Sequence, residues 1–308
     1  MDKLVSVIIP SYNQVPELIN AIKSVINQSY ADLEIIVIDD CSSQNVKYEI
    51  DNIKDDRIQF YKTEKNSGVI EARKLGFIKS TGNYITFLDH DDIFTTNCIE
   101  NKINIFSGND KINMVLSDYI ENNLITNSNK IHKMESFASN FNFEIYKNPG
   151  PFFQSCMFKR ELFEELNLLL DKNAIPSEDW DFFINLSKFK LNIGYVNSPD
   201  FVWNLSEESQ SANYQKEALA LKYILKKHKK TFLKKIGNVG LSDHYRMVAR
   251  IYEKGKFLKE AKGIYKLAFK IYPRSIKNIF YKLISIFPDS IFMFIAKIIR
   301  DLRGKPLG

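Results

Sequence analysis

The stretch Tyr84-Ile85-Thr86-Phe87-Leu88-Asp89-His90-Asp91-Asp92 sets five residues of strand character directly against three carboxylates. Unpaired carboxylates are very costly away from water, so a buried strand here must end and release its acids into an opening. Asp89 and Asp91 stand two apart, and on an extended chain such side chains point the same way. Paired oxygen donors at a strand end suit a hard divalent cation that keeps open positions for substrate phosphates. The same Asp-x-Asp also fits a polar turn after an edge strand, and the rest of the chain weighs on that choice.

Two earlier stretches have the same build. Leu4-Val5-Ser6-Val7-Ile8-Ile9-Pro10 is an apolar run stopped by proline, and Glu34-Ile35-Ile36-Val37-Ile38 runs into Asp39-Asp40. Such runs suit strands covered on both faces, as in a parallel sheet. Between them Leu18, Ile22, Val25 and Ile26 recur at helical spacing. A third, shorter strand is expected over Arg57–Lys62, and a helix over Gly68–Ser80 with Ile70, Leu75 and Ile78 facing inward. This alternation predicts an α/β domain with a mostly parallel sheet. Ligands of such sheets bind outside the carboxyl ends of the strands. Pro10-Ser11-Tyr12, Asp39-Asp40 and Asp89–Asp92 therefore converge on one edge, which strengthens the binding reading of each. No glycine-rich phosphate loop is present, so any phosphate must be held by a metal and side chains, with Arg73 and Lys74 as candidates.

The middle of the chain is less regular. A strand is expected over Ile112–Asp118, a polar loop or hairpin over Asn122–Lys133, a turn at Asn148-Pro149-Gly150-Pro151, a strand over Phe152–Phe158 and a helix from Arg160 to about Leu166. Then follows Pro176-Ser177-Glu178-Asp179-Trp180-Asp181. Ser177 is a good N-cap, and acids suit a first helical turn. The segment thus reads as a favourable helix start. It also reads as a carboxylate general base beside a tryptophan on which a sugar could stack.

These motifs, taken in order, resemble a family 2 glycosyltransferase of the GT-A fold. The resemblance runs through Val5–Asn13, Glu34–Ser42, Asn66-Ser67-Gly68 with Ala72-Arg73 and Gly76, Gly82-Asn83-Tyr84 into Leu88–Asp92, and Glu178-Asp179, and covers about residues 3–213. It implies inverting transfer of a sugar from a nucleotide diphosphate donor, most often a UDP-sugar. Pro10 and Tyr12 would line the base pocket, Asp40 would accept a hydrogen bond from the base, Arg73 would support the nucleotide and Asp89 would lie by the ribose. Asp91 would hold manganese or magnesium against the diphosphate. Asp179 would deprotonate the acceptor hydroxyl, with Glu178 and Trp180 at the acceptor. The chain departs from the pattern at Trp203-Asn204-Leu205-Ser206, where family members often carry an aromatic-Arg-x-His segment. His90 is also less usual than a small residue, and reads as a spacer rather than a ligand.

The net charge of +6 conceals a division. Residues 215–308 carry 23 Lys+Arg against 6 Asp+Glu, which leaves 20 against 31 for residues 1–214. An acidic front and a basic back imply different partners. The back is helical in pattern. A lysine-dense helix is expected over Ala218–Phe232. Ala249, Tyr252, Gly255, Ala261, Tyr265, Ala268 and Pro273 match a tetratricopeptide-like helix pair. Two more helices, split at Pro288-Asp289, follow, with Ile291, Phe294, Ile295, Ile298 and Leu302 on one face and Lys297, Arg300 and Arg303 nearby. A packed bundle with a solvated basic face accounts for this. So does an interfacial helix on an anionic membrane. Nucleic acid fits the basicity but not the front.

The expected organisation is a GT-A domain over residues 1–213 and a basic helical region over 214–308. Met1-Asp2-Lys3-Leu4 enters the strand pattern directly, which predicts no signal peptide. No run of about 20 apolar residues is present. Cys41, Cys98 and Cys156 lack metal spacing and fit free thiols in a reducing interior. The expected function is transfer of a sugar to a glycan or lipid-linked acceptor in bacterial surface polysaccharide synthesis, in the cytoplasm or peripherally at the inner face of the cell membrane. A non-catalytic sugar- or nucleotide-binding protein, or a scaffold, derived from the same fold is the alternative.

Overall fold

A computed structural model describes residues 3–166, 170–206 and 213–303. The chain divides into two compact units, Met1–Lys172 with Asp179–Glu208, and Asn173–Glu178 with Ser209–Gly308.

In the first unit the expected apolar runs form β1 (Val5–Ser11), β2 (Leu33–Asp39), β3 (Ile58–Lys62) and β4 (Tyr84–Phe87). These four are parallel in the order β3-β2-β1-β4. Three helices lie between them in the chain: α1 (Val15–Ile26), α2 (Val46–Asp51) and α3 (Val69–Lys79). α1 buries Leu18, Ala21, Ile22 and Val25, the face its spacing predicted. α3 departs from expectation. It buries Ile70, Ala72, Arg73 and Gly76, while Ile78 is exposed. A Cβ on Gly76 would stand 2.3 Å from Ile8 Cγ2, so α3 approaches β1 closely at this residue.

The second half of the sheet is mixed. β5 (Ile93–Phe94), α4 (Cys98–Gly108), β6 (Met114–Asn123), β7 (Ser128–His132) and α5 (Glu135–Lys147) come first. A 3-10 turn at Phe153–Ser155 then enters β8 (Cys156–Lys159), followed by α6 (Arg160–Leu166), α7 (Glu178–Leu186) and β9 (Ile193–Leu205). The order continues β4-β8-β6-β9-β5, with β7 paired to β6 as a hairpin. β9 is parallel to β6 and antiparallel to β5. Phe152–Phe158 is thus part turn and part strand, because Gln154 and Ser155 leave the ladder.

The second unit contains α8 (Tyr214–Lys227), α9 (Lys229–Lys254), α10 (Leu258–Ile271), α11 (Ile276–Ile284) and α12 (Asp289–Arg303). α9 is interrupted at Gly237, whose φ of 64° belongs to the left-handed region. Ala249 and Tyr252 on α9 and Ala261, Tyr265 and Ala268 on α10 are buried, as the helix-pair pattern requires. Tyr265 donates its hydroxyl to Glu253 Oε2 (2.9 Å) across the pair. The side chains of Arg300, Leu302 and Arg303 lie outside the described residues.

Candidate active site

The register sets Ser11, Asp39 and Lys62 in one row at the carboxyl ends of β1, β2 and β3. Leu88 N–H donates to Ile8 O (3.0 Å), so the acid loop leaves the sheet beside β1. Asp39 is buried, accepts from Ser42 N–H (2.9 Å) and pairs with Lys62 Nζ (3.3 Å). Pro10 is buried within β1 opposite Ile38, and Tyr12, just past the strand, is 46% exposed.

Asp40 has a local task. Its Oδ1 accepts from Thr63 Oγ1 (3.0 Å) and Ser67 N–H (2.9 Å), and its Oδ2 from Gly68 N–H (2.6 Å) and Ser67 N–H (3.1 Å). An ionised carboxylate has about four lone-pair sites. Recognition of a base by Asp40 therefore requires the loop before α3 to release part of this set.

The acid loop is braced from four directions. Arg73 Nη2 donates to Asp89 Oδ1 (2.8 Å). Gln154 Nε2 donates to both Asp89 Oδ2 (2.7 Å) and Asp92 Oδ2 (3.0 Å). Asn204 donates its N–H to Asp92 Oδ1 (2.9 Å) and its Nδ2 to Asp91 O (2.8 Å), while accepting from Asn122 Nδ2 (2.8 Å). His90 Nε2 is hydrogen-bonded to Gln14 Oε1 (2.7 Å), which ties the loop to the start of α1.

Burial pushes the Asp91 carboxyl above the usual carboxylate range, and the charge of Asp89 adds to it. Burial pushes Asp92 well above that range, with Asp91 and Asp89 adding, while Asn204 N–H and Gln154 oppose the shift. Asp89 and Asp92 are taken up by Arg73, Gln154 and Asn204, so Asp91 is the acid of the loop best placed to serve a cation. A divalent ion is the charge that would relieve this crowding. The described residues contain no group of three or more His, Cys, Asp or Glu able to hold a metal. The donor set fits an ion that takes one or two carboxylates from the protein and the rest from phosphates and water.

Asp179 is the second residue of α7, where the helix dipole favours a carboxylate. Its Oδ2 accepts from Phe153 N–H (3.1 Å), and its Oδ1 lies 3.8 Å from Arg73 Nη1. Arg73 is 2% exposed, and its guanidinium lies 4.9 Å from the Phe153 ring. One buried cation therefore stands between Asp89 and Asp179. Lys74 is paired with Glu71 on the surface of α3 (3.1 Å) and takes no part.

Glu178 begins α7 and is buried. Trp180 corrects the expectation of a sugar platform. It is 2% exposed and donates its indole N–H to Ile145 O (2.7 Å), so its ring belongs to the core. Phe152 and Trp203 form a partly exposed aromatic pair, ring centroids 5.1 Å apart, beside Tyr119 and Phe201. Sequence reasoning missed Gln154. The signal for Gln154 was its place as the one long polar side chain in Phe152–Phe158.

A family model described as Glycosyl transferase family 2 matches residues 6–167. An uncharacterised glycosyltransferase of Haemophilus influenzae is 33% identical over 70% of this chain and 85% of its own length. WfgD of Escherichia coli, described as a UDP-Glc:alpha-D-GlcNAc-diphosphoundecaprenol beta-1,3-glucosyltransferase, is 29% identical over 70% of this chain and 83% of its own. Among solved structures, S. aureus TarS 1-349 in complex with UDP-GlcNAc superposes with a TM-score of 0.60 at 13% identity, covering 91% of this chain and 90% of that one. The mannosyltransferase PcManGT from Pyrobaculum calidifontis, in complex with GDP-Man and Mn2+, gives 0.56 at 13% identity, covering 92% and 87%. The two structures share the fold with this chain. With the family model spanning just over half of its length and a relative one-third identical over 70% of it, the chain belongs to glycosyl transferase family 2.

Proposed function

We propose that the protein transfers a sugar, with inversion, from a UDP-sugar to a hydroxyl of a sugar on a lipid diphosphate. The observation that carries this reading is Arg73, which links the donor-side acid Asp89 to the acid Asp179 at the head of α7. Asp179 takes the proton from the acceptor hydroxyl. The oxygen attacks the anomeric carbon from the face opposite the nucleotide, its new C–O bond forms, and the bond to the diphosphate breaks. Pro10 and Tyr12 border the base, Asp40 reaches it when its loop rearranges, and Asp89 stands by the ribose. A manganese or magnesium ion on Asp91 would neutralise the charge growing on the departing diphosphate. Glu178 helps place the acceptor. The lipid-linked acceptor is supported by the description of WfgD and of a second E. coli relative, WfaP, named for the same transfer. Such an acceptor lies in a membrane, and the basic C-terminal helices make a peripheral contact with its cytoplasmic face.

The test is transfer of labelled glucose from UDP-glucose to a synthetic GlcNAc-diphosphoprenol, with manganese or with a chelator, beside calorimetric binding of UDP under both conditions. Metal-dependent binding and product are expected. UDP binding with neither transfer nor donor hydrolysis, for any nucleotide sugar, would leave the non-catalytic reading standing.

A further inference from the structure

α11 turns a polar residue inward and aliphatic residues outward. Asn278 is fully buried, donates its Nδ2 to Ala268 O (3.1 Å) and Tyr272 O (2.8 Å), and accepts from Arg246 Nη1 (2.6 Å). Tyr281 stacks on Tyr265 of α10 at 4.2 Å. These contacts fix the rotation of α11 about its axis. Ile276 and Leu283, on its other side, are 83% and 53% exposed. Turning the helix to hide them would strip partners from buried polar groups, a net loss.

α12 repeats the arrangement. Phe292 and Ala296, one turn apart, are buried, with Phe292 6.1 Å from the same Tyr265. Ile291 and Phe294 are exposed, Phe294 at 66%. Both helices therefore lie on one side of α10 and face away from it. The turn between them adds Ile286 and Phe287, also exposed. Lys262 of α10 holds that turn through Phe287 O (2.7 Å) and Asp289 (2.6 Å). Contiguous exposed apolar surface of this kind marks an interaction site rather than ordinary monomer surface. Lys277 and Lys297 are exposed on the two helices, Lys282 is turned onto the Phe269 ring of α10 (4.1 Å), and the one acid between residues 276 and 298, Asp289, is already paired with Lys262.

We propose that the α11–α12 face docks in the interface of a bilayer with anionic headgroups, its apolar side chains among the lipids and its lysines at the phosphates. The inference rests on the peripheral-contact reading above and names the surface that makes it. The lysines select a bilayer over a second copy of the chain, since pairing two such faces sets like charges together. No helix among the described residues is long and apolar enough to cross a membrane, so the contact lies in the plane of the surface.

The test floats the full-length protein with vesicles of phosphatidylcholine, alone or mixed with phosphatidylglycerol. The parent should bind the mixed vesicles. Phe287→Glu with Phe294→Glu should weaken binding at least about tenfold, as one inserted aromatic side chain accounts for roughly that factor. Lys277→Gln with Lys297→Gln should remove most of the preference for phosphatidylglycerol. Phe294→Trp should add blue-shifted, lipid-quenchable emission. UDP affinity should be unchanged in every variant, which separates this face from the sugar-transfer reading. A parent that ignores the mixed vesicles, or a double glutamate variant that binds them equally, overturns the proposal. So does a dimer in solution that the glutamates dissociate, since a second copy would then occupy the face.

Discussion

At the scale of single residues, Asp179 and Gln154 make separable predictions. Asp179→Asn keeps the size of the side chain and an acceptor for Phe153 N–H. It removes the proton acceptor, so transfer should fall by roughly two to four orders of magnitude, with UDP affinity near parental. Transfer kinetics and calorimetry on one preparation check both halves, and near-parental transfer would remove Asp179 from the base role. Gln154 is 3% exposed and joins Asp89 to Asp92 through one amide nitrogen. Gln154→Leu should cost about 1–3 kcal/mol of stability, because it leaves buried acceptors unsatisfied. It should also weaken metal-dependent UDP binding, since the loop carrying Asp91 loses a brace. Asn204 explains the departure seen at Trp203–Ser206. Where relatives often carry an arginine, this chain has a side-chain amide that secures Asp91 O, while the backbone N–H of the same residue holds Asp92.

At the scale of elements, α3 is placed by the glycine that lets it touch the sheet. Gly76→Ala would press a methyl against Ile8, so a loss of about 1–3 kcal/mol is expected. Arg73 sits one turn earlier on that helix, so the variant should also lose transfer activity beyond what unfolding explains. Denaturant melts and activity at low temperature separate the two effects. α4 and β9 are joined by Lys102 and Asp200, 3.2 Å apart and both fully buried. Burial works against the lysine charge, yet Cys98 and Asp200 hold its pKa above the ordinary value. Lys102→Met alone should cost about 3–5 kcal/mol by stranding Asp200, and adding Asp200→Asn should recover part of it, as read by denaturant titration. Continuous apolar runs made β1, β2 and β4 legible in the sequence, and the acids at the ends of β2 and β4 made the candidate site legible with them. β9 was not legible, because Asn197, Pro199 and Asp200 interrupt its pattern and its register with β6 shifts there. Trp180 misled for a related reason. Its neighbours are acids, but its own direction is set by α7, which turns it toward Ile145.

At the scale of the whole molecule, the three thiols report on integrity. Cys41 is partly exposed, whereas Cys98 and Cys156 are buried. Burial pushes the Cys98 thiol up to about 12 and the Cys156 thiol upward as well, so neither forms thiolate at neutral pH. One thiol should react with a disulfide reagent in the native protein and three after denaturation. Two fast thiols would show that a buried strand or helix opens on its own. The position of β9 in the sheet also has a consequence in time. The strand enters between β6 and β5, and Asn204 near its end holds the acid loop. A nascent chain emerging from the ribosome carries Asp89, Asp91 and Asp92 long before it carries β9. Until residue 205 has been made, those acids can meet β1, Arg73 and Gln154 but lack the contacts of Asn204. A polypeptide cut to residues 6–167 would hold the segment that the family model matches, yet lack Asp179 and β9 and leave the sheet unfinished.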